Sequence, residues 1–505
     1  MLLADLARTS QAVGATRSRT AKTDALAAAL AQLEPDEIEA GVAFLSGELR
    51  QRQIGVGWAA LRDAPPPATQ APTLTVHDAD TAFARIGSMS GPGSQAARRH
   101  ALHALFAQAT PDEQTYLRRL LSGDLRQGAL EGLMVQALAK ATATTAERVH
   151  RAFMLRGDLR AVARAALTEG PQALERFTLD VGRPLRPMLA RPAKDVADAV
   201  AKLKDAPAAA ETKLDGVRIQ VHRDGDAVAI FTRSLDDVTT RLPEIVAAAR
   251  ALAVRRAVLD GEAIALRPDG RPEPFQVTAS RFASTGAPAI ELTPFLFDVL
   301  HLDGDDTIDL PGGERAALLA ERVPPHQRVP REAVSAAAQA QAFLDRALAA
   351  GHEGIMLKAL DVPYAAGSRG AGWLKIKPVH TLDLVVLAAE WGHGRRQGWL
   401  SNLHLGARDP ADPARFVMLG KTFKGLTDEM LAWQTQRLLE LETERTRYAV
   451  KVRPELVVEV AFDGIQASPR YPGGVALRFA RVVRHRPDKV AAEADTLDAV
   501  RAVGG

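Results

Sequence analysis

Lys213 lies in a sequence context that could make it a nucleophile toward phosphorus. It is the third residue of Glu-Thr-Lys-Leu-Asp-Gly-Val-Arg, residues 211–218. A lysine attacks phosphorus when its amine is neutral and the phosphate is held in line with it. The residues before Lys213 predict a strand, and the Asp-Gly turn signal after it would present the amine at the edge of a pocket. The alternative is a surface lysine beside a turn, and this segment alone leaves both open.

Two carboxylates next to apolar segments could bind a divalent cation. Glu262 ends Val-Leu-Asp-Gly-Glu, residues 258–262, and Glu353 precedes Gly-Ile-Met-Leu-Lys, residues 354–358. Mg²⁺ takes oxygen ligands and commonly combines one or two carboxylates with phosphate oxygens. The alternative is that both acids are solvated ends of strands.

Aromatic and basic side chains complete the set. Phe297, within Phe-Leu-Phe-Asp, offers a face for a planar base, although ordinary core packing is the alternative. Alternation in Trp-Leu-Lys-Ile-Lys-Pro, residues 373–378, puts Lys375 and Lys377 on one side of a strand, which could also be a solvated edge strand. The cation-rich segment 478–489 suits a pyrophosphate or a DNA backbone, or is a solvated face.

Three regions of different pattern surround these clusters. Residues up to about 180 show apolar spacing typical of helices, with a helix start at Thr-Pro-Asp-Glu, residues 110–113. The predicted helices there cover 25–33, 97–107, 114–121, 128–142 and 145–153. We therefore expect an all-α domain at 1–183.

The middle region mixes β-rich runs with helices, which predicts an α+β domain at 184–379. Its predicted strands cover 218–222, 228–232, 257–266, 295–302 and 354–358, and its predicted helices 196–204, 242–252 and 334–349.

The last region, 380–505, shows short strands and one helix, at 428–441, and fits a β-barrel such as an OB-fold. Its predicted strands cover 384–389, 403–407, 415–419 and 456–461.

Composition narrows the classes of protein. A chain of 505 residues allows two to four domains. The absence of cysteine excludes disulfides and cysteine-ligated zinc. No run of about 18 apolar residues predicts a membrane span, and the first residues lack the basic-then-apolar pattern of a signal peptide. We expect a cytoplasmic, nucleoid-associated protein. The net charge of +3 neither indicates nor excludes nucleic-acid binding, because one face can be basic while the total charge stays near zero.

The ordered set of motifs resembles the lysine-adenylating nucleotidyltransferases, and within them the three-domain ATP-dependent DNA ligases of bacteria and archaea. The matching segments, in chain order, are 213–218, 232–234, 259–262, 297–304, 353–358, 373–377 and 478–482. The resemblance runs from Pro184 to Lys489, and 123–131 looks like part of the family's helical DNA-binding domain.

This resemblance implies how a nucleotide is held. Lys213 would carry AMP as a phosphoramidate. Glu211 would recognise the amino group of adenine, and Phe297 would stack on the ring. Arg218 and Arg233 would hold the ribose and phosphate.

It also implies the groups that act on the phosphates. Glu262 and Glu353 would bind ribose or a divalent metal, Mg²⁺ with Mn²⁺ as the alternative. Lys375 and Lys377 would contact the α-phosphate and stabilise charge in the transition state. Arg369 would be a further phosphate contact.

The last motif would act from the C-terminal domain. Arg481, Asp488 and Lys489 would orient the leaving pyrophosphate, and the domain would swing about a hinge at 380–383. Ala480 stands where many relatives carry proline, and the charges around it are intact.

The implied reaction has three phosphoryl transfers. ATP adenylates Lys213, AMP passes to the 5′-phosphate of a nick in duplex DNA, and the 3′-hydroxyl displaces AMP. The implied enzyme is a monomer that encircles the DNA; its protein partners, and a duty in replication, repair or recombination, stay open.

Four alternatives remain at this point. An RNA ligase or a guanylylating capping enzyme would share the lysine chemistry but would not need the long helical region. NAD-dependent ligases carry a cysteine-ligated zinc module, which a chain without cysteine cannot form. A DNA-binding scaffold that has lost activity is the fourth.

Overall fold

The computed structural model has a helical N-terminal region, a central region with two five-stranded sheets, and a strand-rich C-terminal region. The residues it describes are 1–51, 53–57, 60–61, 65–125, 127, 131–204, 206–284, 290–370, 372–412 and 414–503.

The N-terminal region packs its helices around one apolar core. The helices are Leu3–Ala15 (α1), Arg19–Leu30 (α2), Ile38–Leu45 (α3), Val76–Ser88 (α4), Ser94–Ala107 (α5), Pro111–Leu121 (α6), Glu131–Ala141 (α7), Ala146–Arg156 (α8) and Leu159–Glu169 (α9). The predicted start of α6 is confirmed, because Thr110 caps the helix and Glu113 completes a capping box.

Part of two sequence predictions cannot be compared with the structure. In the predicted helix 128–142, residues 128–130 lie outside the described residues, and the remainder forms α7. The segment 123–131 includes 126 and 128–130, which also lie outside them.

The central region holds the two sheets that build the site. Its strands are Arg191–Pro192 (β1), Ala208–Lys213 (β2), Val217–Asp224 (β3), Ala227–Thr232 (β4), Arg256–Ala265 (β5), Leu292–Leu302 (β6), Asp305–Asp306 (β7), Arg331–Val334 (β8), Gly354–Ala359 (β9) and Trp373–Ile376 (β10). The order β4-β3-β5-β6-β7 forms sheet 1, and β1-β10-β9-β2-β8 forms sheet 2. The helices are Val196–Leu203 (α10), Pro243–Ala251 (α11), Phe275–Ala283 (α12), Gly312–Arg322 (α13) and Ala337–Ala349 (α14).

One face of sheet 2 is fixed by core packing. Ile355, Leu357, Leu374 and Ile376 are buried there with apolar residues of α10 and α14. The edge-strand alternative for the two-lysine segment is wrong, because β1 pairs with β10 on the side away from β9. The opposite face of the sheet is thereby free to line a pocket.

The C-terminal region is a seven-stranded sheet with a small hairpin. Its strands are His380–Trp391 (β11), Leu400–Arg408 (β12), Phe416–Thr422 (β13), Glu442–Arg445 (β14), Ala449–Val452 (β15), Val457–Phe462 (β16), Gly464–Ala467 (β17), Val475–Arg478 (β18) and Arg481–His485 (β19). The helices are Asp428–Glu440 (α15) and Leu497–Ala502 (α16). Within the described part of the chain no strand pairing closes this sheet, so the predicted barrel is not confirmed in that detail.

The predicted hinge needs a correction. Residues 380–383 are the first residues of β11 and pair with β16, so ladder hydrogen bonds fix them. The irregular chain between β10 and β11 is 377–379.

Among the helices formed by described residues, none is long and apolar enough to cross a membrane.

Candidate active site

Strand register brings the side chains of sheet 2 to one face. Glu211 on β2 lies opposite Met356 on β9, which lies opposite Lys375 on β10. Lys213, two residues further along β2, lies opposite Gly354. Since successive residues alternate faces and opposed residues share one, the two lysines and Glu211 face the same side of the sheet.

Sheet 1 supplies the facing wall. Arg218 on β3 lies opposite Glu262 on β5, which lies opposite Phe295 on β6. A register shift opposite Asp260 leaves Phe297 as an extra residue on β6. Such bulges redirect side chains, and Phe297 lines the pocket.

A pocket of about 380 Å³ lies between the two sheets. The sequence-predicted residues in its wall are Glu211, Lys213, Arg218, Arg233, Glu262, Phe297, Arg369 and Lys375. Arg233 and Arg369 are exposed, whereas Glu211 is 2% exposed. The structure therefore gathers eight candidates from distant motifs around one cavity.

Glu353 holds two ammonium groups beside the pocket. It accepts hydrogen bonds from Lys213 Nζ and, at 2.9 Å, from Lys377 Nζ. Burial raises the pKa of Glu353, but attraction to the two lysines outweighs it, so the pKa lies below its usual value. Lys377 also donates to Asp463, which the sequence reasoning missed.

Glu262 is the second candidate metal ligand. Burial raises its pKa to about 7, although Lys213 and Arg218 oppose this shift. Glu262 lines the pocket and offers the carboxylate oxygens that Mg²⁺ takes, so this group fits a metal, which would also favour its ionised form. Within the described ranges no cluster of three or more acidic or histidine side chains could hold a metal alone. Phosphate oxygens would have to complete such a site.

Arg218 is anchored from behind. Its guanidinium donates to Asp260 at 3.0 and 2.5 Å, to the carbonyl oxygen of Met188 at 2.7 Å, and to the hydroxyl of Tyr364 at 3.4 Å. Tyr364 donates to Asp260 at 2.6 Å. Burial lowers the pKa of Arg218, but Asp260 outweighs it and raises the pKa overall. Tyr364 carried no sequence signal; Asp260 did, in the motif that ends at Glu262.

Comparison with known proteins gives three family matches in chain order. The matched descriptions are "DNA ligase N terminus" at 64–139, "ATP dependent DNA ligase domain" at 187–377 and "ATP dependent DNA ligase C terminal region" at 396–489. A "Probable DNA ligase" of Mycobacterium sp. (strain KMS) is 58% identical over 518 residues, which span 99% of each chain. The chain belongs to the ATP-dependent DNA ligases.

Other similarities of this ligase agree with the assignment. A "Probable DNA ligase" of Beutenbergia cavernae is 57% identical over 515 residues, spanning 100% of both chains. The solved structure named "Pmar-Lig_PreS3" has a TM-score of 0.62 and 18% identity, and covers 95% of this chain and 99% of its own, which supports the fold. The expected identity as a DNA ligase is confirmed, against the RNA-joining and capping alternatives.

In this ligase the C-terminal region lies against the pocket. Arg478 donates to Asp215 at 2.6 Å, and Gln276 of α12 donates to the carbonyl oxygen of Ala467 at 2.9 Å. Arg481 donates to Asp463 at 3.3 Å, and Asp463 also contacts Lys377. The structure thus brings Arg481 near the site.

The structure does not bring Asp488 and Lys489 into the pocket wall. Asp488 accepts from Arg486 at 2.6 Å, and Lys489 donates to Asp383 at 2.6 Å. Both side chains are therefore held by neighbours within the C-terminal region.

Proposed function

We propose that this ligase seals nicks with a 5′-phosphate and a 3′-hydroxyl in duplex DNA, through a lysine–AMP intermediate on Lys213 and then a DNA-adenylate. The observation that carries the proposal is the position of Lys213 in the wall of the pocket, bound to Glu353 and on the same sheet face as Lys375. The full-length similarity to proteins named "Probable DNA ligase" supports it.

In the first step Lys213 Nζ forms a bond to the α-phosphorus of ATP, and the bond to pyrophosphate breaks. The amine must lose its proton for this attack. Glu353 orients the amine: its lowered pKa makes it a weak base, so the proton passes onward to solvent or phosphate.

The other pocket residues bind the nucleotide. Phe297 stacks on adenine, while Glu211 accepts from its amino group. Arg218, anchored by Asp260, holds the ribose, and Arg233 at the pocket mouth contacts phosphate.

Lys375, Lys377 and Arg369 stabilise the charge that develops on the phosphates. Lys377 is bound to Asp463 in this structure, so the reaction requires it to exchange that carboxylate for phosphate. After the pyrophosphate leaves, the same cations hold AMP for transfer to the nick.

Glu262 and Glu353 would hold Mg²⁺ or Mn²⁺ together with phosphate oxygens, and the metal would neutralise phosphate charge. The position of Glu262 in the pocket wall supports its part, because a carboxylate oxygen is available there beside the phosphate site. Glu353 would then exchange a lysine contact for the metal.

The C-terminal region, with an OB-fold as its core, orients pyrophosphate through Arg481, Asp488 and Lys489. The Arg481–Asp463 contact supports the role of Arg481. Asp488 must leave Arg486, and Lys489 must leave Asp383, to take part.

We further propose domain limits of 1–183, 184–379 and 380–505, with the monomer encircling DNA. The enzyme would act in the cytoplasm, at the nucleoid.

A pre-adenylated nick tests this proposal directly. Lys213→Ala should fail to join a 5′-phosphate nick with ATP, but should still seal a nick that already carries AMP. The control is Lys202→Ala, which removes a surface lysine ion-paired to Asp198. It should join the 5′-phosphate nick with ATP and should also seal the pre-adenylated nick. Joining of the 5′-phosphate nick by Lys213→Ala would contradict the assignment.

A further inference from the structure

The segment 185–190, called the strap below, leads from the helical region to the wall of the nucleotide pocket. Its first residue, Leu185, is fixed by Gln220 of β3, which accepts from the backbone N–H at 2.8 Å and donates to the carbonyl oxygen at 3.2 Å. Its last two residues, Leu189 and Ala190, line the pocket. The strap therefore joins the helical region to the site.

Met188 in the middle of the strap anchors a pocket residue. Its carbonyl oxygen accepts from Arg218 Nη1 at 2.7 Å, and its backbone N–H donates to the hydroxyl of Tyr364 at 2.9 Å. The Met188 side chain is buried in an apolar cluster that also contains Trp373 of the pocket and Met154 of α8. A displacement of the strap at this point would move an acceptor that orients the Arg218 guanidinium.

Arg186 ties the same strap to the helical region. It donates to Glu131 at the start of α7, and its guanidinium carbon lies 5.2 Å from the ring centroid of Phe153 on α8. Only Pro187, whose ring fixes its φ, separates Arg186 from Met188. The position of the helical region is therefore passed to Met188 through a short and stiff link.

This contact between the two regions is light. The side chains of Arg186 and Glu131 are 41% and 45% exposed, and a cavity of about 290 Å³ lies beside them, between α7, α8 and the chain around Arg369. A pair this exposed contributes little to folding. Its removal should leave the fold intact, so an effect on nucleotide binding can be separated from an effect on stability.

We propose that Arg186 is a positioning residue for ATP. By holding the strap against the helical region it keeps the Met188 carbonyl in place, and so orients Arg218 for the ribose hydroxyls before the nucleotide arrives. Arg186 is absent from the described residues that line the nucleotide pocket, so it acts through Met188. The inference rests on the proposed function and adds the helical region as a contributor to nucleotide binding.

A different role for Arg186 is that of a general support for the connecting chain, which would affect every nucleotide alike. Arg183 is the matched case, since it lies three residues earlier and its ion pair with Asp180, at 3.3 Å, stays within the connecting chain. Arg183→Met removes an arginine but leaves the Arg186 contact to Glu131. Arg186→Met removes that contact.

The first measurement is label transfer from α-labelled ATP to the full-length protein under single-turnover conditions. Arg186→Met should raise the ATP concentration for half-maximal rate by about three- to fivefold, the scale of an exposed ion pair with a cation–π contact. The maximal rate should stay within about twofold, because a contact that aids binding alone does not change the chemical step. Arg183→Met should match the unmodified protein in both quantities.

Glu131→Gln tests the same contact from the helical side. It should raise the half-maximal ATP concentration by less than Arg186→Met does, because the Phe153 contact remains. The double variant should be no worse than Arg186→Met, since both substitutions act on one contact and their effects do not add. Full additivity of the two effects would overturn the inference.

The second measurement compares ATP with 2′,3′-dideoxy-ATP, which lacks the hydroxyls that Arg218 would hold. Calorimetric binding to Lys213→Ala, in which no chemistry follows, should favour ATP. Adding Arg186→Met should reduce this preference, and adding Arg183→Met should not.

An undiminished preference for ATP in Arg186→Met would overturn the inference, as would a slower maximal rate with an unchanged half-maximal ATP concentration. Either result alongside normal enzyme–AMP formation by the unmodified protein would leave the proposed function standing. Absence of any enzyme–AMP from ATP in the unmodified protein would instead remove the proposed function and this inference together.

Discussion

At the scale of single residues, the site depends on ion pairs that are partly withdrawn from water. Glu353 contacts Lys213 and Lys377, and Asp260 contacts Arg218. Removing one member of a buried pair leaves its partner uncompensated, which costs far more than the loss of a surface pair. Glu353→Gln tests the chemical role of these ion pairs, and Asp260→Asn tests their contribution to stability.

Glu353→Gln should slow enzyme–AMP formation by about a hundredfold, within the range seen when one preorganised polar group is lost. The amide is almost isosteric but cannot balance two ammonium groups. The readout is label transfer from α-labelled ATP under single-turnover conditions. Glu332→Gln, which alters an exposed glutamate paired with Arg346 at 2.6 Å, should leave the rate unchanged. Equal rates in the two variants would remove Glu353 from the chemistry.

Asp260→Asn should destabilise the central region by about 3 kcal/mol, because Asp260 is 1% exposed and faces the Arg218 guanidinium. Tyr364→Phe should cost less, about 2 kcal/mol, because it removes one hydrogen bond to the Asp260 carboxylate but leaves the ion pair in place. Scanning calorimetry of the full chain measures both as shifts in Tm. A larger shift for Tyr364→Phe than for Asp260→Asn would show that the ion pair is not the main contribution.

Contiguous motifs revealed most site residues, and sequence-distant partners stayed hidden. Lys213, Glu262 and Glu353 lie in short segments in which the neighbouring residues indicate their chemical role. Asp463 is 86 residues from Lys377, and nothing around it in the chain indicates a partner. Such a contact exists only after the sheets have been brought together.

At the scale of elements, periodicity predicted several long strands and helices within a few residues, but it missed the 13-residue helices Leu3–Ala15 and Val76–Ser88. The prediction 257–266 became Arg256–Ala265, and 428–441 became Asp428–Glu440. Shorter strands such as Gly464–Ala467 were missed, because four residues are too few to establish alternation. The hinge was misplaced for another reason: pairing with β16 extends β11 back to His380, and cross-strand pairing cannot be read from local sequence.

His222 on β3 should make the stability of the central region depend on pH. Its Nδ1 accepts from the backbone N–H of Gly182 at 2.9 Å, and its Nε2 lies 2.8 Å from Gln220 Oε1. Burial, with a smaller effect of His301, lowers the pKa of His222 to about 3. A lowered histidine pKa contributes stability above the unfolded value of about 6.5, and this stability is lost as pH falls toward 3.

Relative to His222→Gln, the unmodified protein should therefore lose about 1.4 kcal/mol per pH unit below pH 6. Denaturant titrations between pH 7 and pH 5 measure the difference. The variant His150→Gln, which changes a histidine near the surface of α8, should run parallel to the unmodified protein. A constant difference between the unmodified protein and His222→Gln across this range would contradict the buried neutral state.

At the scale of the whole molecule, the C-terminal region is docked on the pocket by a few polar contacts. Arg478–Asp215 and Lys377–Asp463 join the two regions, and the connecting chain is only residues 377–379. Lys377 keeps its bond to Glu353 when Asp463 is displaced, and the Arg478 and Asp215 side chains are partly exposed, so each docking pair contributes about 0.5–1 kcal/mol. This docking is therefore weak enough for a substrate to displace.

The double variant Asp215→Asn with Asp463→Asn should shift the molecule about tenfold toward an undocked arrangement, since two such pairs together contribute about 1.4 kcal/mol. Small-angle X-ray scattering should detect a larger radius of gyration at low ionic strength. Glu440→Gln, which alters a pair within α15, is the control. A radius unchanged from the control would mean that other contacts hold the regions together.

The measurement that tests the central claim most directly is the location of AMP on the protein after incubation with ATP and Mg²⁺. Peptide mass spectrometry should find one AMP per chain, on Lys213, and addition of nicked duplex should remove it as sealed strand accumulates. AMP on another residue such as Lys358 or Lys375, or AMP retained by Lys213→Ala, would contradict the account.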